Sequence, residues 1–233
     1  MAASTLFYQP NLSKGSSILE GDEAHHAKVL RLSVNDRIEV TDGNGLLFQA
    51  TITSIEKHTC EFEVTKIQNP IKRPSSIHLF VAPTKNSDRI EWLVEKLTEI
   101  GVASITMMQC GRNERKNINH DRLIKMAVSA MKQSQQAWLP KINELTTFDH
   151  VIEQKFDQKF IAYVDHSNPD QLKNLATPGK SYGLMIGPEG DFTDDEVNRA
   201  VNNGWKKVSL GPTRLRTETA ALVGALTLVQ LNT

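Results

Sequence analysis

The chain has 233 residues, 39% of them hydrophobic, which suffices for one large domain or two ordinary ones around a real core. Lys and Arg number 27 against 27 Asp and Glu, and a formal net charge of zero excludes a protein that coats nucleic acid by bulk charge. The longest apolar segment, Ala220 to Leu231, is interrupted by Thr227 and Gln230 and is too short to cross a bilayer, and the amino terminus lacks a basic-then-apolar leader.

A cytoplasmic location with no membrane partner is therefore expected. Cys60 and Cys110 have no CxxC spacing, so neither a disulfide framework nor a metal site is indicated, and both read as buried thiols.

In chain order, GDEAHHAKVLRL reads as a short helix with Asp22 as a candidate cap. His25 and His26 are adjacent and point apart on a helix, which disfavours a shared metal. RIEV runs through Asp42-Gly43-Asn44-Gly45, a hairpin turn, and out along Leu47 to Ile52, and CEFEVTKI repeats the strand alternation. These short strands predict a small β-barrel over residues 1–72. Lys28, Arg31 and Lys57 can form either a phosphate-binding face or an ordinary solvated one.

Asn69 to Ser75, with two prolines and two basic residues, reads as a linker. Beyond it, over residues 73–233, strand and helix alternate. Strands are expected at Ile77 to Ala82, Ser104 to Met108, Phe160 to Val164, Tyr182 to Ile186 and Val208 to Leu210. Helices are expected at Ser87 to Ile100, at Asp121 to Gln136 and after each of two Gly-Pro turns. That is the pattern of an α/β domain with a mostly parallel sheet. Asp88, Glu91, Glu95 and Glu99 form the wet face of an amphipathic helix. The basic stretch Gly111 to Lys116, with Arg122, Lys125 and Lys132, can grip RNA or simply be solvated, and Trp138 reads as packing.

The usual short signatures for dinucleotides, nucleoside triphosphates, zinc proteases and serine hydrolases are absent. Chemistry must then sit in the Gly-Pro turns, since loops at the carboxyl ends of strands build the ligand sites of open α/β sheets. In GPEG, Gly187 and Gly190 let backbone approach a ligand and Pro188 stiffens the turn, while Thr193 and Glu196 spell a capping box for the next helix. By itself GPEG is more commonly just a tight strand-to-helix turn than a ligand loop. In GPTRLRTET, Arg216 at a helix amino end opposes the helix dipole, which points either to a task beyond capping or to a purely structural pair with Glu218.

IGPEGDFTDDEV and VSLGPTRLRTETAA closely resemble the carboxyl-terminal motifs of the SPOUT-class methyltransferases, and among them the ribosomal RNA small subunit methyltransferase E family. HHAKVLRLSVNDRIEVTDGNG looks like that family's PUA-like barrel, and EKLTEIGV and MKQSQQAWLP like two of its helices, so the resemblance covers nearly the whole chain. It implies a SPOUT-type α/β fold with a carboxyl-terminal trefoil knot, which generic topology rules would not predict.

It also implies a homodimer that transfers a methyl group from S-adenosyl-L-methionine to N3 of a uridine in 16S rRNA, free or in the assembled 30S subunit. Carried onto this chain, the cofactor pocket takes Ile186, Gly187, Pro188, Glu189 and Gly190 from the first turn. The second supplies Leu210, Gly211, Leu215, Arg216, Thr217, Glu218 and Thr219. Arg216 is the expected cation for the uracil carbonyls and Glu218 the orienting carboxylate. Lys28, Arg31, Arg112, Arg115 and Lys132 are the expected RNA contacts. Two positions depart from the pattern: Asp191 replaces a second glycine, and Thr213-Arg214 replaces arginine followed by an apolar residue. A non-catalytic RNA-binding module and an unrelated enzyme with an anion loop are the competing readings.

Overall fold

The structure, a computed structural model, describes residues 5–68, 76–113, 118–164 and 170–233. The expected linker and Arg115 fall outside them. The chain forms two compact units, Met1–Arg73 with Val128–Leu139, and Pro74–Ala127 with Pro140–Thr233.

The first unit is a mixed half-barrel of β1 (Leu6–Tyr8), β2 (Ile18–Glu20), β3 (Arg37–Thr41), β4 (Leu47–Ile55) and β5 (Thr59–Ile67), with α1 at Gly21–Val29. The strand order is β1-β3-β4-β5-β2, and only β1 and β3 run parallel. Alternation along the strands puts Phe7, Ile38, Val40, Phe48, Ile52, Cys60 and Phe62 into one core. The turn between β3 and β4 forms because Gly43 and Gly45 take φ of 76° and 93°, while Asp42 Oδ1 accepts from Asn44 N at 2.8 Å. Residues 137–139 add to the same turn: Leu139 N donates to Gly43 O and Gly45 N to Ala137 O, both at 2.9 Å. Trp138 thus joins the half-barrel through its backbone, in a bridge with Asn44. Asp22 is not the cap of α1: Glu20 holds that position, and Asp22 lies in the first turn.

The second unit is a six-stranded parallel sheet in the order β11-β9-β10-β6-β7-β8. Its strands are β6 (Ser76–Val81), β7 (Ser104–Gln109), β8 (Lys141–Thr147), β9 (Gln158–Ala162), β10 (Ser181–Ile186) and β11 (Lys206–Val208). Between and after them run α2 (Ser87–Glu99), α3 (His120–Gln133), α4 (Phe148–Ile152), α5 (Leu172–Leu175), α6 (Asp194–Asn202) and α7 (Thr217–Leu231). The helix expected to reach Gln136 ends at Gln133, because Gln135 turns left-handed at φ 56°. The strands β1, β2 and β8 and the helices α4 and α5 were not foreseen. Half-exposed KINELTT has too little apolar content to announce the edge strand it forms.

Helices cover both faces of this sheet. On one, α7 packs against β6 and β10 together with α2 and α5. On the other, α4 and α6 close over Phe80, Met108, Ile161, Met185 and Trp205. The central strand β10 serves both faces by its period of two: Met185 belongs to the second core, whereas Leu184 meets α7 at Gly224. A Cβ on Gly224 would lie 2.6 Å from Leu184 Cδ2, so that glycine, beside buried Ala221 and Ala225, lets α7 sit close on the sheet. This close seat sets the amino end of α7 at the carboxyl end of β10.

Candidate functional site

The first Gly-Pro turn follows β10. Gly187 has no room for a side chain, since a Cβ would lie 3.0 Å from the Phe192 ring and 3.3 Å from Asp191 Oδ1. Asp191 N closes the turn on Pro188 O at 2.9 Å, with Asp191 itself at φ 61°. The departure from glycine at this position is accommodated because a short acidic side chain tolerates the left-handed region and bonds locally. Its Oδ1 accepts from Phe192 N at 2.8 Å and its Oδ2 from Val164 N at 3.2 Å, tying the turn to the end of β9. Burial raises the Asp191 pKa, against the opposing pull of those two N–H groups and of Arg214 and Arg112. The expected capping box then starts α6: Glu196 N donates to Thr193 Oγ1 at 3.2 Å and Thr193 N to Glu196 Oε2 at 2.8 Å.

The second turn runs from β11 into α7. Gly211 takes φ 144°, and Ser209 Oγ both donates to Gly211 O at 3.0 Å and accepts from its N–H at 3.3 Å. Arg216 is the N-cap of α7 without a side-chain capping bond, and among the described residues nothing engages its guanidinium. The next residue joins the two turns: buried Thr217 donates its hydroxyl to Gly187 O at 3.0 Å. Arg214 adds a second link, from Nη2 to Glu189 O at 3.2 Å.

Between the turns and the end of β9 lies a cleft of about 680 Å³. Of the residues expected to hold a cofactor, Ile186, Gly187, Pro188, Glu189, Leu210, Gly211, Leu215, Arg216 and Thr217 line it. Gly190, Glu218 and Thr219 do not. Glu218 is buried against α2 instead, 3.6 Å from Arg89 Nε, with Oε2 unpartnered, and with Thr219 it borders a smaller hollow of about 310 Å³ beside Asp88 and Trp92. The walls not assigned from sequence include Asp191, Val208, Ser209, Pro212 to Arg214 and Ala220, together with Ala162 to Val164, which reach the cleft because β9 lies between β10 and β11, and Gln171, which is bridged to Ser209. Apolar side chains with backbone edges suit a flat heteroaromatic ring, and the carboxylates of Glu189 and Asp191 suit a ligand carrying positive charge. Among the described residues no cluster of three or more His, Cys, Asp or Glu is placed to hold a metal. Both thiols are free and buried, and burial pushes Cys110 far above the usual thiol range.

The expected RNA contacts are dispersed. On the half-barrel, Lys28 Nζ donates to Lys57 O, and exposed Arg31 stands nearby at φ 56°. Lys132 is paired with Glu23 at 2.5 Å, with side chains only 15% and 13% exposed, and its Nζ lies 3.3 Å from His26 Nδ1. Desolvation and this ammonium lower the His26 pKa. Arg112 donates to the carbonyls of Gly190 and Phe192, and Arg122 is taken by Glu91 at 2.6 Å.

A parallel α/β sheet with two glycine-proline loops closing one cleft, in a chain that also carries a half-barrel, belongs with the RNA methyltransferases. Residues 72–230 match the family described as "RNA methyltransferase domain" and residues 19–65 the "RNA methyltransferase PUA domain". The chain belongs to the ribosomal RNA small subunit methyltransferase E family. It is 30% identical over 236 residues to the Buchnera aphidicola (Acyrthosiphon pisum, strain APS) protein of that name, covering 97% of this chain and 92% of the relative. Among solved structures it matches a probable rRNA-methyltransferase from Porphyromonas gingivalis with TM-score 0.90 and 37% identity over 98% of both chains. A ribosomal RNA small subunit methyltransferase E from Neisseria gonorrhoeae, bound to S-adenosyl methionine, matches with TM-score 0.87 and 27% identity over 98% of both chains.

Proposed function

We propose that this protein methylates N3 of a uridine in 16S rRNA, as free RNA or in the 30S subunit, with S-adenosyl-L-methionine as donor, and that it works in the cytoplasm where that substrate is. The observation that carries this reading is the single cleft closed by both Gly-Pro turns through the Thr217 to Gly187 bond, with Arg216 at its rim. The residues fit the cofactor: Ile186, Leu210 and Leu215 offer apolar walls, the glycine at 187 brings backbone close, and Glu189 and Asp191 balance a sulfonium. When bound, the cofactor supplies an electrophilic methyl group.

The protein's own residues supply the rest. Uracil N3 must lose its proton, and negative charge then gathers on the flanking carbonyl oxygens. Arg216, an exposed guanidinium with no partner among the described residues, is the cation for that charge. Both Asp191 oxygens already accept backbone N–H groups, so among the described cleft residues Glu189 is the carboxylate left to balance the sulfonium. Glu218 orients from the α2 side, where its unpartnered Oε2 waits for a donor. The site residues are thus those carried over from the family, of which Gly190, Glu218 and Thr219 stand outside the cleft lining. Of the expected RNA contacts, Lys28 and Arg31 on the half-barrel and Arg115 are kept in this role, whereas Lys132 is held by Glu23 and is not.

The same reading makes residues 1–72 the RNA-binding domain and 73–233 the catalytic one, with α7 as the knotted helix. It also makes the protein a homodimer through the face of α2 and α7. Supporting the last point, α7 is apolar around its whole circumference, yet Leu226 on α7 and Trp92 on α2 stand 39% and 41% exposed. The test is transfer of labelled methyl from the cofactor to small-subunit RNA or unmethylated 30S particles, with the modified nucleoside identified. Arg216→Ala should keep cofactor binding and lose transfer by about 10²-fold or more. Undiminished transfer refutes its role.

A further inference from the structure

Arg112 opens the densest basic stretch of the sequence, where RNA contact is the natural expectation, yet its guanidinium is committed to protein. Its Nη1 donates to Gly190 O at 2.8 Å and to Phe192 O at 3.3 Å. Its aliphatic stem runs along the same turn: a Cβ on Gly190 would lie 3.4 Å from Arg112 Cδ and 3.6 Å from Arg112 Cβ. The preceding residue makes a further link, from Gly111 N to Glu196 Oε1 at 2.7 Å, while Oε2 of the same carboxylate holds Thr193 N in the capping box. From the other side, Arg214 holds Glu189 O.

Guanidiniums from two separate segments therefore grip three carbonyls of one turn, and bonds from a charged donor are roughly twice as strong as neutral ones. The turn needs such holding. Asp191 sits at φ 61°, a conformation its short side chain tolerates but does not enforce, so contacts from outside the turn still bear on its shape.

We propose that Arg112 is a positioning residue for methyl transfer: it holds the Pro188 to Phe192 turn in the shape in which that turn walls the cofactor cleft. The proposal rests on reading the cleft as the cofactor site. Arg112 acts through the turn, so its loss weakens cofactor binding and leaves RNA affinity in place.

Arg112→Lys and Arg112→Met in the full-length chain test this. Lysine keeps the charge a phosphate contact needs, but its ammonium is a point charge one bond nearer the backbone and stops short of the place where Arg112 Nη1 meets both carbonyls. In the cofactor-free protein, amide exchange over residues 187–193 should quicken about tenfold in both variants, the factor corresponding to about 1.4 kcal/mol of lost local stability. Both should raise the KM for S-adenosyl-L-methionine by about tenfold, with kcat at saturating cofactor and the KM for RNA changing by less than about twofold. The proposal is overturned if exchange in the turn is unchanged in Arg112→Met. It is equally overturned if Arg112→Lys behaves as the parent while Arg112→Met raises the KM for RNA and flattens its salt dependence, the mark of a phosphate contact. Should the parent protein fail to bind S-adenosyl-L-methionine by calorimetry, the reading of the cleft falls, and the exchange measurement still decides whether Arg112 holds the turn.

Discussion

Thr217→Val removes one hydroxyl from the junction of the two turns and keeps the side-chain shape. The lost bond, 3.0 Å from Oγ1 to Gly187 O, is buried, with Thr217 only 4% exposed, so water does not replace the donor. A typical buried bond contributes about 1 kcal/mol net, and an acceptor left unsatisfied raises the cost to as much as about 3 kcal/mol. Helix propensity differs little between the two residues, so the expected loss is about 2 kcal/mol. For a chain of this size that lowers Tm by about 4–8 °C. The bond also sets the distance between the cleft walls, so cofactor affinity should fall about tenfold, equivalent to about 1.4 kcal/mol. Thermal unfolding followed by circular dichroism and calorimetric titration with S-adenosyl-L-methionine read both effects. Thr217→Ser restores the hydroxyl for the loss of one methyl, about 0.8 kcal/mol, and should recover the affinity. A Thr217→Val protein with parental Tm and parental affinity refutes the reasoning.

Gly224→Ala gains about 1 kcal/mol of helix propensity but drives a methyl to 2.6 Å from Leu184 Cδ2 in a filled core, an overpacking that costs about 1–3 kcal/mol. Net destabilisation should appear as a lower urea midpoint, and a higher midpoint contradicts the close seat of α7. Lys132→Met strands the Glu23 carboxylate and should cost about 3 kcal/mol, while Glu23→Gln/Lys132→Met recovers part of it, measured in a double-mutant cycle. For Asp191, whose folded pKa is raised by burial, the unfolded chain ionises first as pH climbs from the ordinary 3.8. The parent should therefore lose stability relative to Asp191→Asn across the window from 3.8 up to the folded pKa and hold level above it. A difference that is flat with pH through that window, or of opposite slope, contradicts the raised value.

Short-range physics explains what could be read directly. The strands β3, β4 and β5, the Asp42 to Gly45 turn, α2, α6 with its capping box, β10 and the entry to α7 each follow from a period, a cap or a glycine within a few residues. The motifs around GPEG and LRTET identified the family for a similar reason, because the site's residues come in two short runs.

Contacts far apart in sequence decided the rest. Thr217 meets Gly187 because small residues at 221, 224 and 225 let α7 settle on β10. Residues 137–139 pair with the turn at 43–45, far away along the chain, which no local pattern announces. Composition alone also misassigns charge. Arg112, Arg122 and Lys132 read as one basic stripe, yet carbonyls of the Gly190 turn, Glu91 and Glu23 take them one by one. A side chain's charge is written in the sequence, whereas the partner that occupies it is chosen by tertiary packing.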